Sequence, residues 1–222
     1  MSGIKKLINF IKENKYTWVL SYLILYLVIF FVLDKTLTAK YILYTPIDDM
    51  IPFISIFFVP YMLWFPMLIL LLLEFMLKDK QDFMNYWFMM FTGMNICFII
   101  YIIWPNGLNL RVDVPDSDLP GQLMKMIWSL DPPVNVCPSL HVTSSVTAMI
   151  SVCTADHLRG KKGFKIGVCA FFIIVIISTV FLKQHSVLDL VAGGAVSLFM
   201  EIICFFTPWK KLFAGPLRKF VE

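Results

Sequence analysis

The sequence predicts an all-α integral membrane protein, a six-transmembrane helix bundle with an outer-face loop between spans 3 and 4. Three observations predict it. The chain is 59% hydrophobic and only 15% charged, whereas soluble domains carry about a quarter of their residues as charges. Apolar runs near the ~20 residues needed to cross a bilayer recur at short spacing. The alternating ~10-residue segments of a membrane β-barrel do not occur. The mean hydropathy of +0.79 agrees. One membrane domain over residues 1–222 is expected, with 83–206 as the core that carries the motifs described below.

Residues 1–15 set Ile4, Leu7, Ile8 and Ile11 on one helical face, with Lys5, Lys6, Lys12 and Lys15 around it. That pattern suits a helix lying on an anionic leaflet, or an ordinary basic flank of the first span. The run that follows is long and lacks an A-x-A site, so no cleavable signal peptide is expected. The first span is expected over Tyr16–Leu33, followed by a polar loop with Asp34, Lys35, Lys40, Asp48 and Asp49. The second runs from Ile51 to Leu77 with Pro60 and Pro66 inside it, where missing N–H groups would kink the helix. A tight turn, Lys78–Asp82, leads to the third span, Phe83–Trp104.

Pro105 to Val136 is the longest polar segment. Leu123, Met124, Ile127 and Leu130 have helical spacing within it, with Pro120-Gly121 as a start and Pro132-Pro133 as an end. The fourth span, Leu140–His157, is the least apolar, with Thr143, Ser144, Ser145, Thr147, Ser151 and Thr154. Small hydroxylated residues belong at helix–helix contacts, so this span is expected at the centre of the bundle. The fifth span is Ile166–Leu182. The sixth is Ser186–Phe206, and its Ala192-Gly193-Gly194-Ala195 permits close approach of a neighbour.

Six spans put both termini on one side. Fourteen of the 19 lysines and arginines fall on that side, including Arg218 and Lys219 in the tail, and five (Lys35, Lys40, Arg111, Lys125, Lys183) on the other. The bias predicts cytoplasmic termini in a cell membrane. The net charge of +4 calls for no nucleic-acid partner. None of the five cysteines forms a CxxC pair, so no metal or redox cofactor is expected.

Two of the three histidines, His141 and His185, fall at the same outer face. His185 and Asp189 are i and i+4 at the start of the sixth span, so they share a helix face. A carboxylate that far into a bilayer is costly unless paired, and marks a functional candidate. Bonded to one imidazole nitrogen, it would fix the tautomer and leave the other as nucleophile or base; the same pair could simply staple helices. Pro138-Ser139-Leu140-His141 opens the fourth span with a helix-start signal. Ser139 could donate to an anion there, or merely cap the helix, and His141 could protonate a leaving alkoxide. Arg111 and Lys183 are outer-face cations suited to phosphate oxygens, or plain membrane flanks. His157 falls on the opposite side and is expected to be a bystander.

Together these residues resemble the type 2 phosphatidate phosphatase superfamily, which shares its core with vanadium haloperoxidases. The family's Pro-Ser-Gly-His motif is similar to Pro138-Ser139-Leu140-His141, with Leu140 in place of glycine. Its Ser-Arg-x5-His-x3-Asp motif is similar to Ser178, His185 and Asp189, with Thr179 where arginine stands in the family. Its Lys-x6-Arg-Pro motif is matched by Arg111 alone, with Trp104 at the lysine and Val112 at the proline. The Pro-Ser-Leu-His and Lys-Gln-His-x3-Asp forms resemble the branch that includes inositol phosphorylceramide synthases. The resemblance implies a metal-independent lipid phosphate phosphatase with a lipid phosphate as its partner in the membrane. His185 would become phosphorylated, Asp189 would orient it, and His141 would serve as acid and then base. Arg111, Ser139 and Lys183 would hold the phosphate oxygens. The resemblance accommodates two acceptors, water or an alcohol, the latter making the enzyme a headgroup phosphotransferase. A non-enzymatic lipid-binding or transport protein is the alternative from a different class.

Overall fold

The computed structural model describes residues 3–212, in which nine α-helices account for most of the chain. They are α1 (Gly3–Glu13), α2 (Ser21–Thr36), α3 (Pro46–Met50), α4 (Phe58–Lys78), α5 (Lys80–Ile103), α6 (Leu119–Leu130), α7 (Leu140–Thr154), α8 (Lys162–Phe181) and α9 (Val187–Phe206). Two short strands, β1 (Tyr41–Ile42) and β2 (Asn106–Gly107), pair in parallel and tie the loop after α2 to the loop after α5. The side chains of Ile4, Lys6 and Leu7, and the tail residues Arg218 and Lys219, lie outside the described part.

Among the described residues, five helical segments are long and apolar enough to cross a membrane: Lys15–Thr36, Ser55–Lys78, Lys80–Ile103, Lys162–Phe181 and Val187–Phe206. The chain therefore reads as a multi-pass membrane protein. Large apolar side chains cover its outside, among them Ile24 at 69% exposure, Ile103 at 77% and Phe206 at 82%. In water such a surface would drive aggregation; against lipid it costs nothing. The expected fourth span is α7, and it is shorter than predicted. Its 15 residues rise about 22 Å, less than the ~30 Å of a hydrocarbon core. It packs against α4, α5, α8 and α9, which fits the centre position expected from its hydroxyl content.

Local chemistry explains the boundaries. Asp79 caps α5 by accepting from Asp82 N at 2.8 Å, so one residue suffices to turn from α4 into α5. Asp118 caps α6 by accepting from Gly121 N at 3.2 Å. The α6 boundaries match those read from Pro120-Gly121 and Pro132-Pro133. Pro60 sits in the first turn of α4, where no intrahelical N–H bond is lost, so of the two prolines only Pro66 interrupts the helix interior.

Several hydroxyls of α7 bond within the bundle, while those of Ser145 and Ser151 are buried without a partner among the described residues. Thr143 Oγ1 donates to Gly193 O at 3.2 Å, Ser197 Oγ to Thr143 O at 2.6 Å, and Trp64 Nε1 to Ser144 Oγ at 2.9 Å. The α7–α9 contact depends on one glycine of the Ala-Gly-Gly-Ala run. A Cβ on Gly193 would lie 2.8 Å from Ser139 O and 3.0 Å from Val142 Cβ, whereas one on Gly194 would meet nothing within 4 Å.

The two glycines should therefore respond oppositely to alanine. Gly193→Ala is expected to lower the unfolding temperature in detergent. Gly194→Ala should be neutral, or stabilising by up to ~1 kcal/mol through helix propensity. Equal tolerance of both changes would contradict the close approach.

Candidate active site

α7 and α9 begin side by side. Ser139, the N-cap of α7, is fully buried; its side chain accepts from Val142 N at 3.3 Å, and its backbone N–H donates to Asp189 O at 3.2 Å. Ser186 is the N-cap of α9 and forms a reciprocal capping box with Asp189. Asp189 Oδ2 accepts from Ser186 N at 2.9 Å and sits 3.1 Å from His185 Nδ1. The carboxylate thus fixes the helix start and the imidazole together.

His185 Nε2 lies 3.3 Å from His141 Nδ1. With Asp189 ionised, His185 carries its proton on Nδ1, and His141 Nδ1–H is the donor to the free Nε2 lone pair. His141 is clamped between rings: Tyr61 stacks on it at 4.7 Å and Trp64 stands 4.1 Å away. Gln184 Nε2 contacts both Tyr61 Oη and Asp131 Oδ2 at 3.1 Å. Both histidines face a cavity of about 300 Å³ lined mainly by aromatic and aliphatic side chains of α2, α4 and α5. That is the lower end of the size range for small-molecule sites.

Asp189 Oδ1 is buried without a hydrogen bond. The Cys137 thiol is its neighbour, and burial first, then this carboxylate, push that thiol up to about 12. It is a neutral S–H, not a nucleophile.

The structure brings His141, His185 and Asp189 together, as the sequence led us to expect. It does not bring Arg111, Ser139 or Lys183 to the cavity wall. Ser139 is the buried cap described above. Arg111 donates to the carbonyls of Trp128 and Asp131 at the end of α6 and lies over the Trp128 ring at 5.6 Å. Burial lowers its pKa, and Asp131 then Tyr61 oppose that. Lys183 Nζ donates to Asp48 O at 2.7 Å and to Ile51 O. The backbone explains why Lys183 points that way. It occupies a left-handed position (φ 55°) after α8, with its N–H on Val180 O and that of Gln184 on Thr179 O. This is the helix-ending motif that usually takes glycine. The left-handed turn costs a lysine about 1–2 kcal/mol, and two charge-assisted bonds at ~1.5–3 kcal/mol each more than offset it.

Sequence reasoning missed Asp48. It is 2% exposed, accepts from Ser186 Oγ at 2.7 Å and Val187 N at 3.0 Å, and so caps α9 from 138 residues away. Its local signal was Thr45-Pro46-Ile47-Asp48, a capping box for α3. Tyr61, Trp64, Asp131 and Gln184 were missed too; no short-range pattern marks them. His157 stands at the opposite end of the bundle, 2.7 Å from Asp82 Oδ2.

Lys183→Met should therefore act on stability. We expect a loss of about 2 kcal/mol, read as a lower unfolding temperature. Unchanged stability would contradict this structural role.

A scan against protein-family models, a search of curated proteins and a search of solved structures each found no match to this chain.

Proposed function

We propose that this chain is a membrane-embedded phosphoryl-transfer enzyme that cleaves a lipid phosphate ester through a phosphohistidine. The observation that carries the reading is the Asp189–His185–His141 array facing an apolar cavity. Asp189 leaves the His185 Nε2 lone pair available once substrate displaces His141. Nε2 attacks phosphorus, and the P–O bond to the lipid breaks with its electron pair going to the alkoxide. His141, protonated, supplies the proton. An incoming hydroxyl then gives its proton to His141 as its oxygen displaces His185 from phosphorus. The motif resemblance points to the same chemistry.

Hydrolysis of a phosphomonoester or pyrophosphate is the first reading. Transfer of a phospho-headgroup to an alcohol is the second, and one observation favours it: among the described residues, no lysine or arginine lines the cavity. A dianionic monoester would lack a counter-charge there, whereas a diester carries one charge less. With α7 counted as a crossing shielded by its neighbours, the chain has six spans. The basic-residue bias then sets both termini in the cytoplasm and the site at the extracytoplasmic face.

Phosphate or headgroup release from a lipid panel by purified protein, with chelator present and with and without an alcohol acceptor, tests this. His185→Ala should abolish turnover, His141→Ala should reduce it at least ~100-fold, and His157→Ala should leave it nearly unchanged. Equal loss in all three, or no loss in His185→Ala, would refute the assignment.

A further inference from the structure

The polar groups of the cavity suit a cation better than an anion. Its charged side chains are Asp34 and Asp131, beside the amides of Asn135 and Gln184. The nearest basic groups are committed elsewhere. Lys35 is 61% exposed, pairs with Asp34 at 3.2 Å and donates to Leu130 O at 2.9 Å. Arg111 and Lys183 cap carbonyls as described. Two acceptors remain under-used. Among the described residues, only Gln184 donates to the Asp131 carboxylate. Asn135 Oδ1 is buried with no hydrogen-bond partner, although its Nδ2 donates to Leu33 O at 3.2 Å. Aromatic rings, which attract cations through their faces, supply much of the remaining wall. Among the described residues no group of three or more His, Cys, Asp or Glu side chains could hold a metal ion. An organic cation fits this lining.

We propose that the cavity receives the cationic nitrogen of a zwitterionic phospholipid headgroup, with Asp131 as its counter-charge. This rests on the phosphoryl-transfer reading above and narrows its substrate class. In such headgroups the nitrogen is joined to the phosphate oxygen by two carbons. Asp131 is bonded to Gln184, the residue next to His185, so phosphorus at His185 leaves the nitrogen within reach of the carboxylate. Burial raises the Asp131 pKa, and the charge of Asp34 adds to it, while His185, Arg111 and Gln184 oppose the rise. A headgroup cation would relieve both unfavourable contributions.

The test uses purified full-length protein and vesicles of phosphatidylethanolamine, phosphatidylcholine, phosphatidylglycerol or phosphatidate, with an alcohol acceptor present. Turnover is compared for wild type, Asp131→Asn and His185→Ala. Asp131→Asn keeps the Arg111 contact, which uses the backbone carbonyl. The zwitterionic lipids should turn over at least about tenfold faster than the anionic ones. Asp131→Asn should raise KM for the zwitterionic lipids about tenfold, equivalent to ~1.4 kcal/mol, and erase their advantage over the anionic lipids. Should Asp131→Asn fail to fold, binding to His185→Ala decides: a short-chain zwitterionic lipid must bind more tightly than its phosphatidate counterpart, read by tryptophan fluorescence. Best turnover on phosphatidate, with Asp131→Asn indifferent to headgroup, would overturn this inference and leave the enzyme reading intact. No His185-dependent turnover of any lipid would overturn the enzyme reading itself.

Discussion

The hydrogen bond from Ser139 N to Asp189 O joins the first turn of α7 to that of α9, and the candidate site depends on that junction. The contact brings two helix beginnings together where each has unsatisfied N–H groups. Those groups are met by Ser139 on one helix and by Ser186, Asp189 and Asp48 on the other. Asp189 acts three times: its carbonyl binds α7, and its carboxylate closes the α9 cap and holds His185. Gly193 allows the backbones to lie this close. His141 and His185 meet because of this arrangement, without a long flexible side chain in the path.

A second template stands behind the first. Asn106 is fully buried, and its amide bonds both ways to the segment before α7. Oδ1 accepts from Val136 N at 3.1 Å and Cys137 N at 2.9 Å, while Nδ2 donates to Cys137 O at 2.8 Å and Trp104 O at 3.0 Å. One side chain thus satisfies backbone groups that a bilayer would leave stranded. The β1–β2 pairing holds Asn106 in place from the far side.

Much of the fold was legible because apolar runs and helix signals are local. The α6 boundaries came from prolines and a glycine, and the central place of α7 from its hydroxyls. His185 and Asp189 were legible as a pair because their spacing is a helix repeat, and His141 because it opens another span expected to start at the same face. The roles of Arg111, Ser139 and Lys183 were not. The charge count led us to expect all three at one membrane face, but nothing local says whether a cation or a hydroxyl there meets a ligand or the protein's own backbone. Lys183 is decided by its left-handed backbone and by carbonyls more than 130 residues away. Asp48, read only as part of a polar loop, turned out to be buried structure. The length of α7 was misjudged at its end, where the helix stops at Thr154 and Asp156–Leu158 form a separate helical turn.

Helix α2 forms one wall of the cavity through Tyr26, Leu27, Phe30, Phe31, Leu33 and Asp34, yet it is the least enclosed of the long helices. Its Ile24, Leu25, Val28 and Val32 face outward. A substrate on the proposed reading therefore arrives sideways, through the plane of the leaflet, instead of from the aqueous phase. Encounter is then two-dimensional, and occupancy follows the mole fraction of the lipid in its leaflet. Detergent that dilutes the surface would slow the reaction at constant bulk concentration, and a change in leaflet composition would regulate it without any effector.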